Sequence, residues 1–89
     1  MDSRYHDIRR DFIYDMRTGK LWSNFDPVNK FPELITTKTV RYQGRSITTI
    51  QLIFIYVTGD RFPGVIRKDG DVTNNKWENF AYPNPYLRL

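Results

Sequence analysis

The chain has 89 residues, no cysteine, and 14 Lys and Arg against 10 Asp and Glu, for a formal charge of +4. That length makes one domain with a modest core, and the lack of cysteine excludes a disulfide framework and a thiolate zinc site. The excess positive charge points to a polyanionic partner, of which nucleic acid is the commonest inside a cell.

The apolar run at 50–57 is far too short to span a bilayer. The opening residues MDSRYHDIRRDF lack an apolar signal core. A soluble protein of the cytoplasm is therefore expected.

In chain order, Tyr5, Ile8 and Phe12 fall at helical spacing and predict a helix over 3–14, with Ser3 as its N-cap. Asp15 and Thr18-Gly19 separate two aromatic segments and read as the turn of a hairpin. Residues 23–33 hold two prolines and two asparagines and read as a loop. Dense β-branched residues around Gln43-Gly44 predict two paired strands, at 35–42 and 45–49.

Residues 49–58 point two ways. Their propensity is that of a strand. Their boundaries are those of a helix, with Thr48 or Thr49 to cap the start, Gly59 to end it and Pro63 beyond. Val65-Ile66-Arg67 is a short strand, Asp69-Gly70-Asp71 a turn, and Asn74 a cap for a short helix from Trp77 to Phe80. Pro83 and Pro85 prevent that helix from continuing, and AYPNPYLRL reads as extended or irregular. These elements make an α+β domain with a small antiparallel sheet and a central helix.

The order of "TGKLW" and then "GRSITTIQLIFIYVTGDRFPGVIRKDGDVTNNKWENF" resembles the small HNH endonucleases of bacteriophages. Thr58-Gly59, Pro63, Gly70-Asp71, Asn75 and Trp77-Glu78-Asn79 carry the resemblance, which covers residues 12–80. It implies a helix at 49–58, a single HNH-like domain over 1–89, and a reduced ββα-like part at the end. It also locates departures from the family pattern. The family's His-Arg-Leu is here Ile50-Gln51-Leu52, its Asp-His pair falls on Ile66-Arg67, and its Asn-Gly-Asp turn is Asp69-Gly70-Asp71.

Those departures remove chemistry. HNH cleavage needs a divalent metal to stabilise charge on the phosphate and a general base near neutral pKa to activate water. Arg67 stays protonated at any usable pH, and Ile66 offers no lone pair. The degenerate positions are thus Ile50, Ile66, Arg67, Asp69, Asp71, Asn75 and Asn79. No catalytic residue, metal or cofactor is expected among them. A calcium loop at 69–80 is excluded too, because its glycine position holds Asn74 and its last position Phe80.

What remains is cationic. Arg41, Arg45, Arg67, Lys68 and Lys76 are the candidate contacts to nucleic acid, most simply DNA, through phosphates. A second function stays open: a small phage inhibitor that binds a host protein such as RNA polymerase or a restriction or CRISPR nuclease. A third is weak metal-dependent cleavage using Asp69, Asp71 and Asn79. Other polar features have ordinary readings. His6 is a solvated surface residue, Trp77 anchors its helix, and Asn79 ties down a loop. Trp22, Tyr42, Phe54 and Tyr56 are core, while Tyr82 and Tyr86 are exposed or fold back over the site.

Overall fold

The computed structural model describes residues 1–24 and 32–81. Within them the protein is α+β, with two α-helices and three small antiparallel sheets where the sequence predicts one. The residues expected to be an irregular C-terminal tail, with Tyr82 and Tyr86, lie outside the described residues apart from Ala81.

Helix α1 spans Tyr5–Asp11 and is shorter than expected. Phe12 is already extended, at φ −132° and ψ 157°, and opens strand β1, Phe12–Tyr14. The sheet wins because Phe12, Ile13 and Tyr14 pair with Ser23, Trp22 and Leu21 of β2, Leu21–Ser23. The first turn is not capped by Ser3. Instead Asp2 Oδ1 accepts the Arg4 N–H at 2.8 Å, and the Asp2 carbonyl accepts that of Tyr5 at 3.1 Å.

The β1–β2 turn is closed by Asp15. Its N–H donates to the Lys20 carbonyl at 2.9 Å, and its own carbonyl accepts the Gly19 N–H at 2.8 Å. Strand β3, Glu33–Leu34, adds to β2, so the expected loop at 23–33 ends in a strand; its residues 25–31 lie outside the described residues. The register aligns Ile13, Trp22 and Leu34 across the sheet. Ile13 and Leu34 are 42% and 47% exposed, and Trp22 is half-buried in this row rather than in the core.

The second hairpin joins β4, Thr39–Tyr42, to β5, Arg45–Thr48. Gln43 and Gly44 take φ of 51° and 78°, the left-handed pair that a two-residue hairpin with native twist requires. Strand β4 begins later than predicted because the Ile35 N–H already donates to the Leu21 carbonyl at 2.8 Å, which ties that segment to the first sheet.

Helix α2, Thr49–Thr58, follows β5 without a linker. Thr48 Oγ1 accepts the Gln51 N–H at 3.3 Å, and Gly59 ends the helix in the left-handed region at φ 84°. Leu52, Ile53, Phe54 and Ile55 are all buried. A helix apolar on every side belongs in the middle of a fold, which is how a segment of strand-forming residues stands as a helix here. Thr49 fixes it to the chain before β4, donating from Oγ1 to the Thr37 carbonyl at 2.6 Å and from N–H to the Lys38 carbonyl at 2.8 Å. Around α2 pack Ile8, Phe12, Leu21, Val65 and Phe80.

The last sheet pairs β6, Ile66–Arg67, with β7, Phe80–Ala81. The expected helix from Trp77 to Phe80 is a single 3-10 turn, Trp77–Asn79, since Phe80 is drawn into β7. No helix among the described residues is long and apolar enough to cross a membrane.

Candidate functional site

Residues 66–79 carry β6, a turn and the 3-10 turn, and are tied together mainly by their own polar groups, with anchors from Tyr14 and Met16 on the first hairpin. Asn79 is buried and sits at the centre. Its Nδ2 donates to Asp69 Oδ1 at 2.9 Å and to the Asn74 carbonyl at 3.1 Å. Its Oδ1 accepts the Asp69 N–H at 3.3 Å, and its carbonyl accepts the Lys68 N–H at 2.7 Å. Asn74 does not cap the 3-10 turn, whose N-cap is Lys76 without a side-chain bond. It bridges instead: its Nδ2 donates to Asp69 Oδ2 at 2.9 Å, and its Oδ1 accepts the Lys76 N–H at 3.3 Å.

The two aspartates are spent on this loop. Asp69 accepts from Asn74, from the Asp71 N–H and from Asn79. Asp71 accepts from the Thr73 N–H at 2.9 Å and the Thr73 hydroxyl at 2.7 Å. The Asn74 amide and then the Asp71 N–H hold the Asp69 carboxyl below the usual carboxylate range. The Thr73 hydroxyl and N–H do the same for Asp71. Among the described residues, no three His, Cys, Asp or Glu side chains come together as a cation's ligands.

Arg67 is engaged as well. Its Nε and Nη2 donate to Asn75 Oδ1 at 3.0 and 2.6 Å. Burial pulls its pKa down while the nearby charges of Asp71 and Asp69 support its cationic form. Lys68 and Lys76 are exposed. Over 66–79 the cations Arg67, Lys68 and Lys76 stand against Asp69, Asp71 and Glu78, so the segment carries no net charge. Of the two degenerate isoleucines, Ile50 packs against the core while Ile66 is 61% exposed.

Arg41 and Arg45 diverge. Directly paired residues share a face of a hairpin. Tyr42 pairs with Arg45 and Arg41 with Ser46, which puts the two arginines on opposite faces.

Arg45 faces a cleft of about 650 Å³ between the start of the chain, the β4–β5 hairpin and the segment after α2. Among the described residues, its lining brings Arg4, Arg45 and Arg61 together with a single carboxylate, Asp2. Asp2 is tied to Arg4, whose Nε and Nη2 donate to it at 3.1 and 3.2 Å. This contact, with smaller help from the Arg61 charge, keeps the Asp2 carboxyl below its ordinary range. Arg45 and Arg61 are exposed, and neither forms an ion pair among the described residues. Ser3, Thr48 and Gln51 add hydroxyl and amide groups. Gln51 also secures the segment that bears Arg61, donating from Nε2 to the Phe62 carbonyl at 2.8 Å.

Sequence reasoning singled out Arg45 but not Arg4, Arg61 or Gln51. These residues are far apart along the chain, and no local motif links them. Only Gly59, which turns the chain back at the end of α2, hints that Arg61 returns toward the hairpin. No protein-family model matches the chain, and no curated protein or solved structure is similar to it.

Proposed function

We propose that this chain is a non-catalytic, HNH-like phage protein that binds nucleic acid by its phosphates in the host bacterial cytoplasm. The observation that carries the reading is the cleft, where, among the described residues, three guanidiniums meet one carboxylate. Guanidinium groups suit phosphate because their planar donors match its oxygens in pairs.

The 66–79 segment supports the non-catalytic half of the reading. Asp69, Asp71 and Asn79 spend their polar atoms on the loop, and Arg67 on Asn75. Lys68 and Lys76 remain as exposed flanking contacts. Arg67 is then a structural residue first and a phosphate contact second.

Binding of a fluorescent oligonucleotide across a salt series tests the proposal. The expected result is affinity that falls steeply with salt as bound counterions are released. A flat salt response, or no binding, overturns it. Strand cleavage with magnesium or manganese that vanishes in an Asp69→Ala, Asp71→Ala variant would restore the weak-nuclease reading.

A second reading, an inhibitor of a host nucleic-acid-binding protein, draws on the exposed row of Ile13 and Leu34 flanking Trp22. Exposed apolar surface of this kind marks protein contacts. A stoichiometric complex with one host protein that survives nuclease treatment supports it, and loss of all binding on that treatment rules it out.

A further inference from the structure

The phosphate-binding reading leaves open which form of nucleic acid the protein holds. We infer that the Arg45–Arg61 cleft takes one single strand and contacts its sugar–phosphate backbone rather than its bases. This deepens the proposal above and rests on it.

Among the described residues, the usual routes to a duplex are missing. Reading a major groove takes an exposed helix or a two-stranded ribbon that can enter it. Helix α2 buries Leu52, Ile53, Phe54 and Ile55 in the core and carries no basic residue to meet a groove. Helix α1 is seven residues long, and both of its arginines are committed. Arg9 donates to the Tyr56 carbonyl at 3.2 Å and lies 4.5 Å over the Tyr56 ring. Arg10 pairs with Asp7 at 3.4 Å and Asp11 at 2.9 Å. On the β4–β5 ribbon, Arg41 and Arg45 point to opposite faces, so the ribbon presents no paired basic edge. A cleft of 650 Å³ is of ligand-pocket size, enough for one or two nucleotides and far too small for a duplex.

The lining then decides what is read. Binding bases without pairing relies on exposed aromatic faces. Among the described residues the one ring in the cleft wall is Tyr42, which is 6% exposed and packs edge-on against Phe12 at 5.1 Å. The donors to phosphate are Arg4, Arg45 and Arg61 with the hydroxyls of Ser3, Ser46 and Thr48. Helix α2 also begins here, with no acidic residue in its first turn to offset its positive end.

The test compares labelled oligo-dT, oligo-dA and a duplex hairpin, with the parent protein and with Arg45→Ala, Arg61→Ala and Arg67→Ala, Lys68→Ala double variants. Arg45 and Arg61 are exposed, so their removal leaves the fold intact, which thermal melting checks. Expected are single strands bound within about twofold of each other and the duplex at least about tenfold more weakly. In the Arg45/Arg61 variant, affinity for single strands falls about tenfold or more. Its log–log salt slope shallows by about 1.4, two contacts at about 0.7 each. The Arg67/Lys68 variant changes less. If single strands bind but the Arg45/Arg61 variant matches the parent, or the duplex or one base is preferred tenfold, the inference fails while phosphate binding stands. If the parent binds none of the three, both fail.

Discussion

The Tyr14 hydroxyl donates to the Asn75 main-chain carbonyl at 2.5 Å, joining β1 to the 66–79 loop across 61 residues. Asn75 is where the first hairpin meets the last sheet. Its side chain accepts from Arg67, and next to it the Trp77 N–H donates to the Met16 carbonyl at 3.1 Å. An asparagine that the HNH resemblance would read as a remnant of chemistry is thus a tie between the first hairpin and the last sheet. Replacing Tyr14 with Phe keeps the ring and strands the carbonyl. The expected loss is about 1–2 kcal/mol of unfolding free energy, read from urea denaturation. An unchanged midpoint would show that the tie contributes nothing.

Gly19 makes the closest approach at the same junction. It has φ +77°, and a Cβ there would lie 2.5 Å from both the Asn75 carbonyl carbon and the Lys76 nitrogen. Both are main-chain atoms and cannot swing aside. Gly19→Ala should therefore cost about 3 kcal/mol or more. Gly44→Ala, also at positive φ but with open space around it, should cost only about 1 kcal/mol. Equal costs for the two would refute the packing argument.

Asn79 tests the structural reading of the Trp-Glu-Asn unit. Asn79→Ala leaves the Asp69 N–H and the Asn74 carbonyl without their partner, for an expected loss of about 2–4 kcal/mol. The same loss should appear with and without magnesium. A loss seen only with the metal present would return Asn79 to a metal-holding role.

The cap of α2 decides between helix and strand in 49–58. Thr48→Ala should cost about 1 kcal/mol. Thr48→Ser, which keeps the accepting oxygen, should be near neutral in thermal melting.

Stability should fall at low pH. Asp69, Asp71, Asp11 and Asp2 all have carboxyl pKa values below the ordinary range. Asn74, Thr73, Arg10 and Arg4 respectively are the leading causes. A depressed carboxyl pKa stabilises the fold above the ordinary value of about 4 and is lost as protons bind below it. Denaturation at neutral pH and at about pH 3 should show lower stability in acid. The gap should narrow in Asp11→Asn, which retains an acceptor for Tyr42. A pH-independent midpoint would contradict the assignment.

Tyrosine titration gives the matching alkaline expectation. Burial is the leading reason that the pKa values of Tyr14 and Tyr42 are raised. Both stay neutral in the folded chain, so their contribution is complete below about pH 10 and is lost as the pH climbs beyond it. Tyrosinate absorbance should show a late phase coincident with unfolding, and a Tyr14→Phe, Tyr42→Phe variant should lack it.

Local chemistry made several elements legible from the residues alone. Gln43-Gly44 announced its hairpin because few residue pairs take two consecutive left-handed conformations. Thr48 and Gly59 marked both ends of α2, and Asp69-Gly70-Asp71 its turn, because caps and turns are satisfied within a few residues. The α+β class followed from these. Where elements compete, the residues were silent. Phe12 belongs equally well to a helix or a strand until Ser23 lies opposite, and Phe80 leaves its helical turn only because Arg67 waits across the sheet.

The candidate site was less visible still, since charge in a sequence has no direction. Arg41 and Arg45 look alike in the chain, yet strand pairing turns them to opposite faces. Arg67 looks free until Asn75 meets it. Arg4, Arg45 and Arg61 share a cleft because a capped helix and a two-residue turn bring three distant segments together, and that convergence is a property of packing, which no short stretch of residues encodes.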